Sequence, residues 1–177
     1  MKYVGLLRGI NVGGTNKIDM KTLKHAVEEK GMTEVSTYIN SGNILFADDR
    51  YTKAHITHLL EQLIFDQFAL QIHVLIYSAD EFQQITEAIP AQWSNDAQMK
   101  SDVLFLWQDV DTQEVLKKLT ITPEIDHVLY VPGAVLWSVD KDQVNKSGLA
   151  KIVGTKLYRR MTVRNVNTVR KIWSLLA

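Results

Sequence analysis

From Leu7 to Ile18 the chain reads Leu-Arg-Gly-Ile-Asn-Val-Gly-Gly-Thr-Asn-Lys-Ile. An apolar run, Tyr3 to Leu7, precedes it and reads as a strand; a helical pattern follows it. Three glycines, two asparagines, one arginine and one lysine therefore sit in a single strand-to-helix crossing. Glycine lets backbone amides approach a ligand closely. Amides at a helix start are unpaired donors in a dipole that favours anions. Arg8 can clamp a phosphate or carboxylate through two parallel hydrogen bonds, and Lys17 adds a point charge. The spacing Gly9 to Gly14 imitates the start of a P-loop, but Thr15 stands where that motif needs lysine. Gly13-Gly14 is not a dinucleotide fingerprint either. The crossing thus carries neither an ATP nor an NAD signature. A wide turn that merely needs positive φ is the simpler alternative to a ligand loop.

Reading on, Asp19 caps a helix with Met20, Leu23, Ala26 and Val27 on its apolar face, and Gly31 ends it. Val35 to Phe46 reads as extended, interrupted by Asn40-Ser41-Gly42-Asn43. Such an interruption marks a bulge or a close backbone approach. Ile56, Leu59, Leu60, Leu63 and Ile64 form a helical face, and Ile72 to Tyr77 reads as a strand. Ser78-Ala79-Asp80-Glu81 is a capping box opening a helix that Pro90 stops. This β-α-β-α-β order predicts strands 3–7 and 35–46 as adjacent and parallel, and fits half of a split, ferredoxin-like sheet.

Ala91 to Lys100, polar with one tryptophan, reads as a linker or a covering loop. The remainder reads β-α-β-β-α-α: a strand at Val103 to Trp107, a helix capped by Asp111 and Glu114, a hairpin across Pro132-Gly133, a short helix at Lys146 to Val153, then Thr162 to Thr168 and a last helix. The fold class is α+β in two lobes: residues 1–95, a ferredoxin-like unit with the glycine-rich crossing, and residues 96–177, a smaller α/β lobe with a hairpin and a basic end. No residue-level repeat and no low-complexity segment is visible.

The chain has no cysteine, which removes disulfides, thiol nucleophiles and cysteine metal sites and suits a reducing compartment. Met1-Lys2-Tyr3 leads straight into a short strand-like run, so neither a signal peptide nor a membrane span is expected, and the expected location is cytoplasmic. Net charge is zero, yet residues 141–177 carry nine Lys/Arg against the single acid Asp142, leaving +8 there and −8 elsewhere. A basic end suggests an anionic partner; a solvated face is the plainer account.

Two further polar motifs stand beside the crossing. Asn40, Ser41 and Asn43 form an uncharged patch of donors and acceptors. Arg164-Asn165-Val166-Asn167-Thr168 opens the last helix. One asparagine there is a good N-cap, but a guanidinium at a helix start opposes the dipole unless an anion lies between them. His55 and His58 lie off their helix's apolar face, and no metal site, cofactor or carboxylate pair is indicated.

The segments Tyr3 to Ile18, Thr37 to Phe46 and Thr162 to Val169 together resemble the bacterial family called domain of unknown function 1697. The resemblance spans nearly the whole chain and implies a cytoplasmic α+β protein with no assigned activity. It places the family's recurring polar positions on Arg8, Asn11, Gly13, Gly14, Lys17, Asn40, Ser41, Gly42, Asn43, Arg164, Asn165, Asn167 and Thr168. Val166 stands where the family usually has tryptophan, so ring stacking is not implied there.

Three functional readings follow. The first is a small anionic, phosphate- or carboxylate-bearing ligand held between the glycine loop and the last helix by Arg8, Asn11, Gly13, Gly14, Lys17, Asn40, Ser41, Asn43, Arg164, Asn165, Asn167 and Thr168. The second is nucleic acid on the basic segment, weakened by the lack of paired exposed aromatics on the strands. The third is a protein-interaction module with no ligand.

Overall fold

Burial runs unbroken from Tyr3 to Leu7 in the first strand, β1 (Lys2–Leu7), as the near-continuous apolar run of a central strand requires. A computed structural model describes all 177 residues and separates them into two units, Met1–Phe82 with Leu176–Ala177, and Gln83–Leu175. No helix is long and apolar enough to cross a membrane.

The first unit continues with α1 (Met20–Glu29), β2 (Thr33–Tyr38), β3 (Asn43–Ala47), α2 (Lys53–Phe68) and β4 (Val74–Ser78). Its sheet has the order β2-β3-β1-β4, with every neighbouring pair antiparallel. This is the split, ferredoxin-like arrangement. Asp19 caps α1 by accepting from the Thr22 amide, and Thr52 caps α2 by accepting from the His55 amide. Leu23 and Val27 of α1 and Ile56, Leu60 and Ile64 of α2 share one core cluster with Tyr3, Leu7, Ile44, Phe46, Val74 and Ile76 from one face of the sheet.

The expected parallel pairing of strands 3–7 and 35–46 is overturned. The segment is a hairpin, and its second arm, β3, lies antiparallel against β1, with Val4 opposite Leu45 and Leu6 opposite Asn43. The cause lies in the polar interruption. Ile39 and Gly42 take φ of 50° and 93°, and the buried Asn43 donates from Nδ2 to the Tyr38 carbonyl and to Ser41 Oγ. The chain therefore reverses where one continuous strand was expected. β1 and β2 still run in the same direction, but β3 is inserted between them, so the unit reads β-α-β-β-α-β.

The second unit holds β5 (Met99–Leu106), β6 (His127–Val131), β7 (Ala134–Asp140) and β8 (Met161–Asn165), and α4 (Val166–Leu176) follows. α3 (Ala79–Ala88) runs across the division between the units. The order is β6-β7-β5-β8, again all antiparallel, and the expected hairpin across Pro132-Gly133 is present. The α-helices expected behind Asp111 and at 146–153 are absent. Short 3₁₀ turns replace them at Gln108–Val110, Gln113–Lys118, Lys141–Lys146, Gly148–Lys151 and Leu157–Arg160. They run three to six residues, short pieces as is usual for 3₁₀ geometry, with the two six-residue turns at its long end. Packing fixes the residue at 148 as glycine: a Cβ built there would lie 1.6 Å from the Thr120 carbonyl oxygen.

The two sheets share one topology. Leu7 N–H donates to the Gly42 carbonyl (2.8 Å) and Leu106 N–H to the Gly133 carbonyl (3.0 Å). Arg8 N–H donates to His73 O (3.0 Å) and Trp107 N–H to Arg160 O (2.9 Å). At the end of β4, Ser78 Oγ accepts from the Glu81 amide; at the end of β8, Asn165 Oδ1 accepts from the Thr168 amide. The chain is thus a tandem of two equivalent strand layouts, each followed by a capped helix, although no repeat shows in the residues.

Candidate functional site

The crossing after β1 is a small hairpin. Asn11 N–H donates to Asn16 O, and Thr15 donates to Val12 O from both its amide and its hydroxyl. Gly13 and Gly14 are the two central residues of this turn, at φ 57° and 78°. Two consecutive positive φ values define a mirror-image hairpin turn, which is why both are glycine. Asn16 Nδ2 closes the loop's base on the Gly9 carbonyl.

Asn11 fixes the hairpin's position. Its Oδ1 accepts from the Ile18 amide (2.8 Å), and its Nδ2 donates to the carbonyls of Ile18 (3.1 Å) and Asn40 (2.8 Å). The glycine crossing and the Asn40-Ser41-Gly42-Asn43 turn are thereby joined, as proximity of two strands in one sheet allows. The turn itself sits tightly: a Cβ on Gly42 would lie 2.8 Å from both Ile10 Cδ1 and Leu7 Cβ.

Between the joined loops lies an open concavity of about 420 Å³, lined by Asn11, Gly14, Lys17, Ile18, Asp19, Met20 and Asn40. The Lys17 ammonium, the Asn40 side-chain amide and the Gly14 N–H have no hydrogen-bond partner within the chain, and all three residues are exposed. Asp19 is committed to the helix: Thr22 donates to it from both hydroxyl and amide, and these bonds hold its carboxyl below the usual range. It also occupies the α1 N-terminus that the sequence offered to an anion. The available donors are therefore those of the hairpin and of Asn40.

Of the other residues marked in the sequence, Gly13 forms the hairpin tip, and Arg8 is half-buried at the end of β1 and pairs through its backbone with His73. Ser41 and Asn43 close the turn on one another. None of these four lines the concavity. Ile18, Asp19 and Met20 do, though the sequence marks them only as the end of the crossing, the helix cap and the start of the apolar face; their position directly after Lys17 was the available signal.

The late motif lies in the second unit, where each member has a local role. Arg164 is buried in β8 and donates from Nη1 to Thr162 Oγ1 and the Val163 carbonyl; burial pushes its guanidinium down to about 10. Asn165 caps α4, the buried Thr168 supplies the capped amide, and Asn167 Nδ2 donates to the Asn95 carbonyl at 2.8 Å. No group of three or more His, Asp or Glu is gathered as a metal would require.

Two ferredoxin-like strand layouts in tandem, the first bearing a welded pair of polar turns, define an α+β class rather than an activity. The chain belongs to the family described as protein of unknown function (DUF1697), whose model matches residues 1–137. The motif at 162–169 lies beyond the matched residues. A solved structure described as conserved bacterial protein SP0830 from Streptococcus pneumoniae is similar over 99% of this chain and 98% of its own, at 29% identity and a TM-score of 0.85. No curated protein matches the sequence.

Proposed function

We propose that the concavity of the first unit binds a small phosphate- or carboxylate-bearing molecule. One observation carries this reading. Asn11 spends its whole side chain on the frame, two bonds within its own crossing and one to the Asn40 carbonyl, while the Lys17 ammonium, the Asn40 amide and the Gly14 N–H around the same concavity are left without partners. A fixed frame presenting unspent donors is preorganised for an acceptor-rich ligand. Lys17 supplies the charge, and the Asn40 amide and glycine N–H add direction. Chemistry at such a place rests on positioning and electrostatic stabilisation.

The test is a thermal-shift panel of inorganic phosphate, a sugar phosphate, nucleoside mono- and triphosphates and a dicarboxylate. A ligand at 100 times its Kd adds about 2.7 kcal/mol of stability. At least one compound is expected to raise Tm in the wild type and to lose that effect in Lys17→Ala and Asn40→Ala. Both side chains are exposed, so both variants fold. No response in the wild type, or an equal response in both variants, overturns the reading.

A further inference from the structure

The second unit contains a different kind of cavity. In the first unit α-helices cover the sheet face that carries the core; in the second, 3₁₀ turns cover it. A pocket of about 240 Å³ remains over the end of β5. Its walls are apolar: Val139, Val144, Leu149, Ile152, Val153 and Val163. Ala150, Ser147 and Tyr158 also line it, and two charged residues, Lys100 and Asp102, stand at the strand. They sit two apart on β5 and so on one face of it.

Asp102 is buried, its side chain 5% exposed, and its Oδ2 accepts from Lys100 Nζ at 2.8 Å. No second donor within the chain reaches this carboxylate. Lys100 uses one of its three N–H donors in that bond and makes no other. Asp102 is the buried partner, while the Lys100 side chain is 36% exposed; a buried charge offsets its desolvation best when its remaining lone pairs are also satisfied. Here one carboxylate oxygen and two ammonium protons remain, side by side, at the polar end of an apolar slot.

We propose that this pocket binds a free apolar α-amino acid. The ligand's ammonium meets Asp102, its carboxylate meets Lys100, and its side chain lies on the valine, leucine and isoleucine walls. Charge complementarity selects the zwitterion: a monocarboxylate faces the free oxygen of Asp102 with like charge, and a simple amine faces Lys100. The volume is below the roughly 300–1,000 Å³ of sites for drug-sized molecules, which suits one branched aliphatic chain or one ring.

Calorimetric titration of the whole chain with L-leucine and L-phenylalanine tests this, with 4-methylpentanoate and 3-methylbutylamine as singly charged comparators. At least one of the amino acids is expected to bind at least about tenfold more tightly than either comparator. Asp102→Asn and Lys100→Gln are expected to lose that advantage while keeping their circular dichroism. Should either fail to fold, Val153→Trp provides an independent variant: residue 153 is 60% exposed, so tryptophan is accommodated by the fold but closes the pocket mouth and removes binding. The proposal is overturned if neither amino acid binds at about 10 mM, if the comparators bind as well, or if Val153→Trp binds like the wild type.

Discussion

Asn11 Nδ2 donates to the Asn40 carbonyl at 2.8 Å, joining two turns 29 residues apart. The same side chain accepts from the Ile18 amide and donates to the Ile18 carbonyl, and its backbone sits at φ 53°, where asparagine is among the few side chains that fit readily. Asn11→Asp preserves shape and the acceptor but turns an oxygen toward two carbonyls. We expect local opening to become easier by about 2–3 kcal/mol. Hydrogen exchange at the Ile18 amide measures it, and unchanged protection there contradicts the assigned role.

Glycines in this region divide by what surrounds them. Gly42 combines positive φ with two contacts at 2.8 Å from a built Cβ, whereas nothing lies within 4 Å of one at Gly13. Gly13→Ala therefore costs only the left-handed backbone, about 1–2 kcal/mol. Gly42→Ala adds overpacking against Leu7 and Ile10, for a total of about 3 kcal/mol or more. Urea denaturation of the two variants gives the order directly, and equal losses would mean that the close approach at Gly42 relaxes freely.

Asp126 is expected to contribute to the acid sensitivity of the second unit. Burial alone would raise its carboxyl, but the Ser147 hydroxyl, the Thr122 and Gly148 amides and the Trp137 indole together hold it below the usual value. A carboxyl whose pKa is depressed by folding stabilises fully above its unfolded value, about 3.9, and that contribution is lost as pH falls through the lower folded value. Asp126→Asn turns an amide N–H₂ toward committed donors and is expected to cost about 2–3 kcal/mol at neutral pH. It also flattens the acid limb of the stability curve. A variant curve parallel to the wild type below pH 4 would show that another group sets that limb.

The sequence made elements legible where a side-chain period or a cap determined them. Asp19 and Ser78 announce α1 and α3, the leucine–isoleucine face announces α2, and Pro132-Gly133 announces the second hairpin. Pairing was less legible. An interruption such as Asn40-Ser41-Gly42 reads equally as a bulge or a turn, and only the buried Asn43, bonded back to Tyr38, decides for the turn. That single reversal changes a parallel neighbour into an antiparallel one. The 3₁₀ coverings of the second sheet were hidden for another reason: a cap followed by a few apolar residues reads the same whether the turn continues as an α-helix or stops as a short 3₁₀ turn. At the candidate site the polar residues were legible as a group, but not the division between those that build the frame (Asn11, Asn43) and those that remain available (Lys17, Asn40). Hydrogen-bond partners, which sequence does not specify, decide that.

The equivalence of Ser78 and Asn165 separates two accounts of the late motif. Both residues end the fourth strand of their sheet and cap the helix that follows, Ser78 on the Glu81 amide and Asn165 on the Thr168 amide. Serine and asparagine are comparably good N-caps, and alanine at such a position costs about 1 kcal/mol. If capping is the whole role of Asn165, Asn165→Ser keeps the wild-type denaturation midpoint and Asn165→Ala lowers stability by about that amount. A ligand role adds a requirement that serine meets poorly, because the carboxamide presents two N–H donors beyond its cap-accepting oxygen, whereas serine has a single O–H on a shorter side chain. We expect Asn165→Ser to retain both its stability and any ligand-induced rise in Tm. A variant that kept its midpoint but lost the ligand response would instead assign Asn165 a contact beyond the cap, and circular dichroism and thermal shift on the same two variants distinguish the outcomes.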